Sequence, residues 1–255
     1  MTISDQGPKN PPVPDPASAD SDPYANIPDA ELYRSITSEW PFFSPWLSPA
    51  FQAFCQDSVP YTLVSPQPMW ILYSLAQQAM ALPGEFVECG VYKGGTALLL
   101  ARVIREHAGP QKKVLHLFDT FEGMPDTDPE KDMVRKGDFS DTSLEDVRAR
   151  LAGFPSPIFH QGKVPETLKS ISGARICFAH IDVDLYQSVF DCCEVLYPQM
   201  VPGGIMVFDD YGFQSCPGAR AAVDTWFKTK PEVPLVLPTA QAIVTKLPSS
   251  AQGGT

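Results

Sequence analysis

The chain has 255 residues, 44% of them apolar, with a formal net charge of -11 and a pI near 4.7. That apolar content supports a globular core, and an acidic chain with no basic run lacks the clustered Lys and Arg that nucleic acid or an anionic membrane surface requires. Six cysteines without CxxC spacing, several inside apolar runs, are expected to be free thiols in a reducing compartment rather than disulfides or a zinc site.

No charged segment leads an apolar leader and no apolar run approaches a membrane span, so a soluble, cytoplasmic protein is the expectation. Residues 1–28 are rich in Pro, Asp, Ser and Ala and read as a disordered tail. Residues 29–60 carry Tyr33, Trp40, Phe42, Phe43, Trp46, Phe51 and Phe54 between prolines. They read as short helices forming either a stabilising cap or a lid over an active site. Residues 61–248 read as one domain and 249–255 as a flexible C-terminus.

Within the domain, Pro68 to Leu82 has helical periodicity ended by Pro83-Gly84. The chain then alternates: strand Glu85 to Gly90, helix Gly95 to His107, strand Val114 to Asp119. Next comes helix Ser143 to Leu151, opened by the capping pattern Asp141-Thr-Ser-Leu-Glu145. Strand Pro157 to His160, strand Ile176 to Asp182, helix Tyr186 to Leu196, strand Gly204 to Asp209 and helix Ala219 to Phe227 follow. This order predicts an α/β fold, a mostly parallel sheet with helices on both faces. Pro234 to Leu237 and Gln241 to Leu247, separated by Pro238-Thr-Ala, predict an antiparallel hairpin closing one edge.

Four strand exits carry chemistry. At the first, Phe86-Val-Glu-Cys-Gly-Val-Tyr-Lys-Gly-Gly-Thr96 makes a strand, glycine turn and helix, where backbone N–H groups can meet a nucleotide-like ligand. The spacing is neither GxGxxG nor a Walker motif, which disfavours a pyrophosphate or triphosphate. At the second exit, Asp119 is placed to grip ribose hydroxyls. Together the two point to an adenosine-bearing cofactor without a pyrophosphate, for which S-adenosylmethionine (SAM) is the candidate.

The other two exits are His180-Ile-Asp-Val-Asp184 and Phe208-Asp-Asp-Tyr-Gly212. If their strands are neighbours, Asp182, Asp209 and Asp210 converge, and oxygen ligands of this type suit Mg²⁺ or another octahedral divalent ion. Asp184, two residues on, is placed to take a proton from a metal-bound hydroxyl. The competing reading has Asp209-Asp210 merely capping the turn into the next helix. His180 reads alone as a satisfied core histidine.

These ordered motifs, with Asp119-Thr-Phe-Glu-Gly-Met-Pro125 and Gly218-Ala-Arg-Ala-Ala-Val-Asp224, resemble the macrocin O-methyltransferase (TylF-type) family from about Tyr61 to Leu247. The family comprises metal-dependent SAM enzymes that methylate sugar hydroxyls on natural products. The resemblance implies a class I methyltransferase Rossmann-like fold with a seven-stranded sheet. It also implies that Glu88, Gly90 and Thr96 face the methionine part of SAM, that Asp119 binds ribose, and that Tyr92, Thr120 and Phe121 belong to the same cofactor site. Asp138, Phe139, Gln161 and Gly162 would enclose adenine, Thr62 and Leu63 would close over the cofactor, and Asp182 would lie between cofactor and metal. Asp182, Asp209 and Asp210 match the metal ligands and Asp184 the base. The expected reaction holds two vicinal sugar oxygens on Mg²⁺, removes one proton and transfers the methyl group in line. The expected partners are a small-molecule glycoside and further copies of the chain in a homo-oligomer, with neither nucleic acid nor membrane. A catechol-like acceptor and a non-catalytic SAM-binding scaffold are the alternatives.

Overall fold

A computed structural model describes residues 44–107, 109, 113–155 and 157–248, all within one unit that begins at Ser44. The tail, the first part of the aromatic segment (residues 29–43) and the C-terminus (249–255) lie outside the described residues.

Seven strands form one sheet: β1 (Glu85–Cys89), β2 (Leu115–Asp119), β3 (Pro157–Gln161), β4 (Ile176–Ile181), β5 (Met200–Phe208), β6 (Leu235–Val236) and β7 (Ala242–Thr245). Their spatial order is β3-β2-β1-β4-β5-β7-β6. The first five strands are parallel, while β7 runs antiparallel to β5 and to β6. The central strands are mostly apolar because helices cover both faces, with Glu88 in β1, His116 in β2 and His180 in β4 as buried polar exceptions. Phe86, Phe118, Phe178 and Phe208, from β1, β2, β4 and β5, are fully buried, each contributing about 1.5–3 kcal/mol of burial.

Among the described residues the α-helices are α1 (Pro49–Cys55), α2 (Pro66–Ala79), α3 (Gly95–Glu106), α4 (Leu144–Leu151), α5 (Tyr186–Leu196) and α6 (Pro217–Phe227). One face of the sheet packs on α2, α3 and α4 through Met69, Leu72, Leu99, Val103, Val147 and Leu151. The other packs on α5 and α6 through Val189, Cys192, Leu196, Ala222, Val223 and Phe227. Helix α4 is capped from within the expected pattern: Ser143 is the N-cap, and its Oγ accepts from Asp146 N at 3.1 Å. Strand β5 starts at Met200, four residues before the expected Gly204, and Gly203-Gly204 stays paired, with Gly203 N donating to Lys246 O at 2.7 Å and Gly204 O accepting from Lys246 N at 2.8 Å.

In the described part of the aromatic segment, Phe51 and Phe54 lie against Trp70 and Tyr73 of α2, with ring centroids 4.7–5.4 Å apart. Arg102 of α3 covers the Phe54 ring and donates to Phe54 O at 2.8 Å. The six cysteines are free and buried. No helix among the described residues is long and apolar enough to cross a membrane.

Candidate active site

The strand order reverses between β1 and β4, and in such sheets the crevice outside the carboxyl ends at that point takes the ligand. Here it is a cavity of about 780 Å³ bounded by the exits of β1, β2, β4 and β5.

At its β1 side, Gly90 has φ +86°, and a Cβ there would sit 1.6 Å from Asp182 O, so only glycine lets the two strand ends meet. The turn that follows is fastened to β2. Asp119 Oδ2 accepts from Val91 N at 2.7 Å and Tyr92 N at 2.9 Å, and Oδ1 accepts from Phe121 N at 2.6 Å. Gly95 opens α3 against residues 58–62, where a Cβ would lie 2.6 Å from Ser58 O and from Thr62 Cβ. Thr62, Leu63, Gly90, Tyr92, Thr96, Asp119, Thr120, Phe139 and Gly162 all line the cavity. Phe121 is instead buried in the core, and Glu88, Asp138 and Gln161 also lie off the cavity wall. Asp138 Oδ2 is taken by Arg135 N at 2.8 Å, and Gln161 Nε2 reaches Thr120 O at 3.5 Å.

On the β4 and β5 side, Asp182, Asp184, Asp209 and Asp210 all line the same cavity. Asp209 and Asp210 are buried, while Asp182 and Asp184 keep part of their surface on the cavity. Ligand atoms of His180, Asp182 and Asp209 fall within 4.8 Å of one another, as do those of Asp184, Asp210 and Cys216. Burial, then the neighbouring aspartates, push the carboxyls of Asp182 and Asp210 well above the usual range. Burial likewise raises Asp184 to about 6, against the Cys216 hydrogen bond that lowers it. Asp184 has φ +55°, and Leu185 N donates to Val183 O across it at 2.5 Å, which makes a tight γ-turn. Its own N–H donates to Asp210 Oδ2 at 2.9 Å and its Oδ1 accepts from Cys216 Sγ at 3.2 Å. Tyr92 and Phe139 also have positive φ, so three strained residues line one cavity, the pattern expected where the surrounding fold holds a working geometry.

Behind the aspartates stands a residue that sequence reasoning set aside. His180 is fully buried, with Nδ1 2.9 Å from Glu88 Oε1 and Nε2 3.4 Å from Asp209 Oδ1. Burial lowers its pKa, but the hydrogen bonds to Asp209 and Glu88 outweigh that and hold it well above the ordinary histidine value. Held in that charged form, the ring offers a donor at each nitrogen, one toward each carboxyl group. Glu88 Oε2 is buried with no hydrogen-bond partner among the described residues. Gln241, also buried, donates to Asp209 Oδ1 at 2.7 Å. Asp132, which carried no motif, accepts from Tyr186 N at 2.8 Å and so caps α5 at the cavity edge.

A demethylated rhamnosyl-tetracenomycin-C 4'-O-methyltransferase of Streptomyces olivaceus is 29% identical over 206 residues, 76% of this chain and 72% of the relative. Demethyldecarbamoylnovobiocin O-methyltransferase of Streptomyces niveus is 29% identical over 156 residues, 57% of this chain and 58% of its own length. Among solved structures, the O-methyltransferase NovP superposes with a TM-score of 0.66 at 23% identity, over 74% of this chain and 83% of that one. CalS11, a calicheamicin methyltransferase, does so with 0.64 at 18%, over 95% and 99%. The model of the macrocin-O-methyltransferase (TylF) family matches residues 54–237, more than half of the chain. The chain therefore belongs to the macrocin-O-methyltransferase family and is an O-methyltransferase.

Proposed function

We propose that this enzyme moves the methyl group of S-adenosylmethionine to a hydroxyl of a sugar on a glycosylated natural product. In this reading Asp182, Asp209 and Asp210 hold Mg²⁺ or a similar divalent cation, and Asp184 is the base. The observation that carries it is the four aspartates at the exits of β4 and β5, three of them with carboxyls pushed up by burial and by one another. Buried oxygen donors in deficit of positive charge fit a hard divalent ion. When bound, the cation supplies charge neutralisation and an acidified hydroxyl.

Asp184, held in its γ-turn by Asp210 and Cys216, takes the proton from the acceptor hydroxyl. The acceptor oxygen then forms its bond to the methyl carbon as the carbon–sulfur bond breaks, leaving S-adenosylhomocysteine. Glu88 stands just behind the cavity wall at the exit of β1, and its partnerless Oε2 fits the cationic amine of the cofactor's methionine part. Asp119 fits the ribose with the acceptor capacity left after its three backbone N–H bonds. The relatives from the two Streptomyces species, named for glycosylated and antibiotic acceptors, support the acceptor class.

Incubation with methyl-labelled SAM and a panel of deoxysugar glycosides, followed by mass spectrometry, tests the reading. Gain of one methyl group with Mg²⁺ and none in excess EDTA is expected. Undiminished transfer in EDTA would remove the metal from the mechanism, and methylation of catechol without any glycoside would change the acceptor.

A further inference from the structure

Glu88 of β1, His180 of β4, Asp209 at the exit of β5 and Gln241 beside β7 form a polar row across four neighbouring strands. None of the four is more than 4% exposed. Glu88 and His180 stand opposite each other in the β1–β4 register. A row of this kind costs desolvation that apolar side chains at the same positions would not, so its geometry calls for a reason.

Asp209 supplies one. Both donors that reach it, Gln241 Nε2 at 2.7 Å and His180 Nε2 at 3.4 Å, converge on the same oxygen, Oδ1. The other oxygen is left to bind. Ligating carboxylates are oriented by hydrogen bonds of this sort, and loss of such a partner typically weakens metal binding about 10–100-fold. The His180 ring continues the row to Glu88 Oε1 at 2.9 Å, whose second oxygen is the unpartnered one.

We infer that His180 and Gln241 are positioning residues that fix Asp209 as a one-oxygen metal ligand, and that His180 anchors Glu88 on the cofactor side with the same ring. This rests on the proposed metal and cofactor sites. It separates two residues that touch the same carboxylate: Gln241 serves the metal alone, whereas His180 serves both ligands.

The test measures binding rather than turnover. Mn²⁺ affinity is read from the free-ion electron paramagnetic resonance signal, and S-adenosylhomocysteine affinity by calorimetry in EDTA, with folding checked by thermal unfolding. Gln241→Leu and Gln241→Met, neither of which can donate, are expected to weaken Mn²⁺ about tenfold or more and to leave S-adenosylhomocysteine unchanged. His180→Gln, whose amide can donate to only one of the two carboxylates, is expected to weaken both. Wild-type Mn²⁺ affinity in the folded Gln241 variants overturns the inference, as does wild-type affinity for S-adenosylhomocysteine in His180→Gln. If His180→Gln fails to fold, the Gln241 pair still decides the positioning of Asp209. A wild-type protein that takes up no Mn²⁺ overturns the metal site itself, and this inference with it.

Discussion

Two pairs of strand exits in one cavity handle their carboxylates in opposite ways. At β1 and β2, Asp119 takes three backbone N–H groups, from Val91, Tyr92 and Phe121, and so ties two loops together. That carboxylate is fully partnered by the chain itself, although Glu88 Oε2, farther back on β1, is not. At β4 and β5, Asp182, Asp184 and Asp210 face one another and Asp209 with too few donors, and burial plus mutual repulsion raise all three carboxyls. That region is held in electrostatic deficit by the fold around it. The first arrangement spends its carboxylate on stability; the second gives up stability to keep carboxylates available, as functional sites commonly do.

The largest expected effect lies on the deficient side. Asp184→Asn keeps the size of the side chain and the backbone N–H to Asp210 but removes the base, so turnover should fall about 10²–10⁴-fold. Single-turnover assays check this, with Mn²⁺ and S-adenosylhomocysteine binding retained. Near-normal turnover would end the base assignment. A smaller, two-sided effect should separate the regions in metal-free protein. Asp119→Asn sets an amide donor against a backbone donor, an unmet buried group worth about 1–3 kcal/mol, and should lower Tm. Asp210→Asn keeps an oxygen for Asp184 N while removing a repelled charge, and should raise Tm, by about 2–4 °C for each kcal/mol relieved. The same variant should lose the rise in Tm that Mg²⁺ gives the wild type. If both substitutions move the metal-free Tm in the same direction, the contrast between the two regions fails.

The sequence made the sheet and the four strand exits legible for one physical reason. Parallel strands covered on both faces become mostly apolar runs, so β1, β2, β4 and β5 and the acidic residues at their ends stand out, and Asp182, Asp184, Asp209, Asp210 and Asp119 all line one cavity. The row behind them was not legible. His180 meets Glu88 across 92 residues and Asp209 meets Gln241 across 32, so these contacts depend on which strands are neighbours and on the register of an antiparallel edge. Neither follows from local periodicity. Asp132 reaches Tyr186 across 54 residues and was hidden for the same reason. Phe121, expected at the cofactor, is buried in the core instead and has φ +56°, a conformation that side-chain type alone does not announce.

The smallest effect tests whether the β2–β3 edge is independent of the acidic exits. His160 of β3 stacks on Phe118 at 4.2 Å between centroids and 7° between planes. Its Nε2 faces His116 Nδ1 at 3.0 Å and its Nδ1 faces Ser170 Oγ at 2.9 Å. Burial, then the neighbouring His116, lower its pKa from the ordinary 6.5. A histidine depressed in the folded state contributes stability above its unfolded value, and that contribution is lost as pH falls through the folded value. Wild-type Tm should therefore decline on acidification from about pH 6.5 downward. His160→Gln, which forgoes the stack but cannot titrate, should start lower at neutral pH and decline less steeply. Because His160 is only half-buried and outside the cavity wall, the difference should be the same with and without Mg²⁺. Dependence of that slope on Mg²⁺ would mean that the two halves of the sheet share one electrostatic unit, and the division between a finished region and a deficient one would then have to be redrawn through β1.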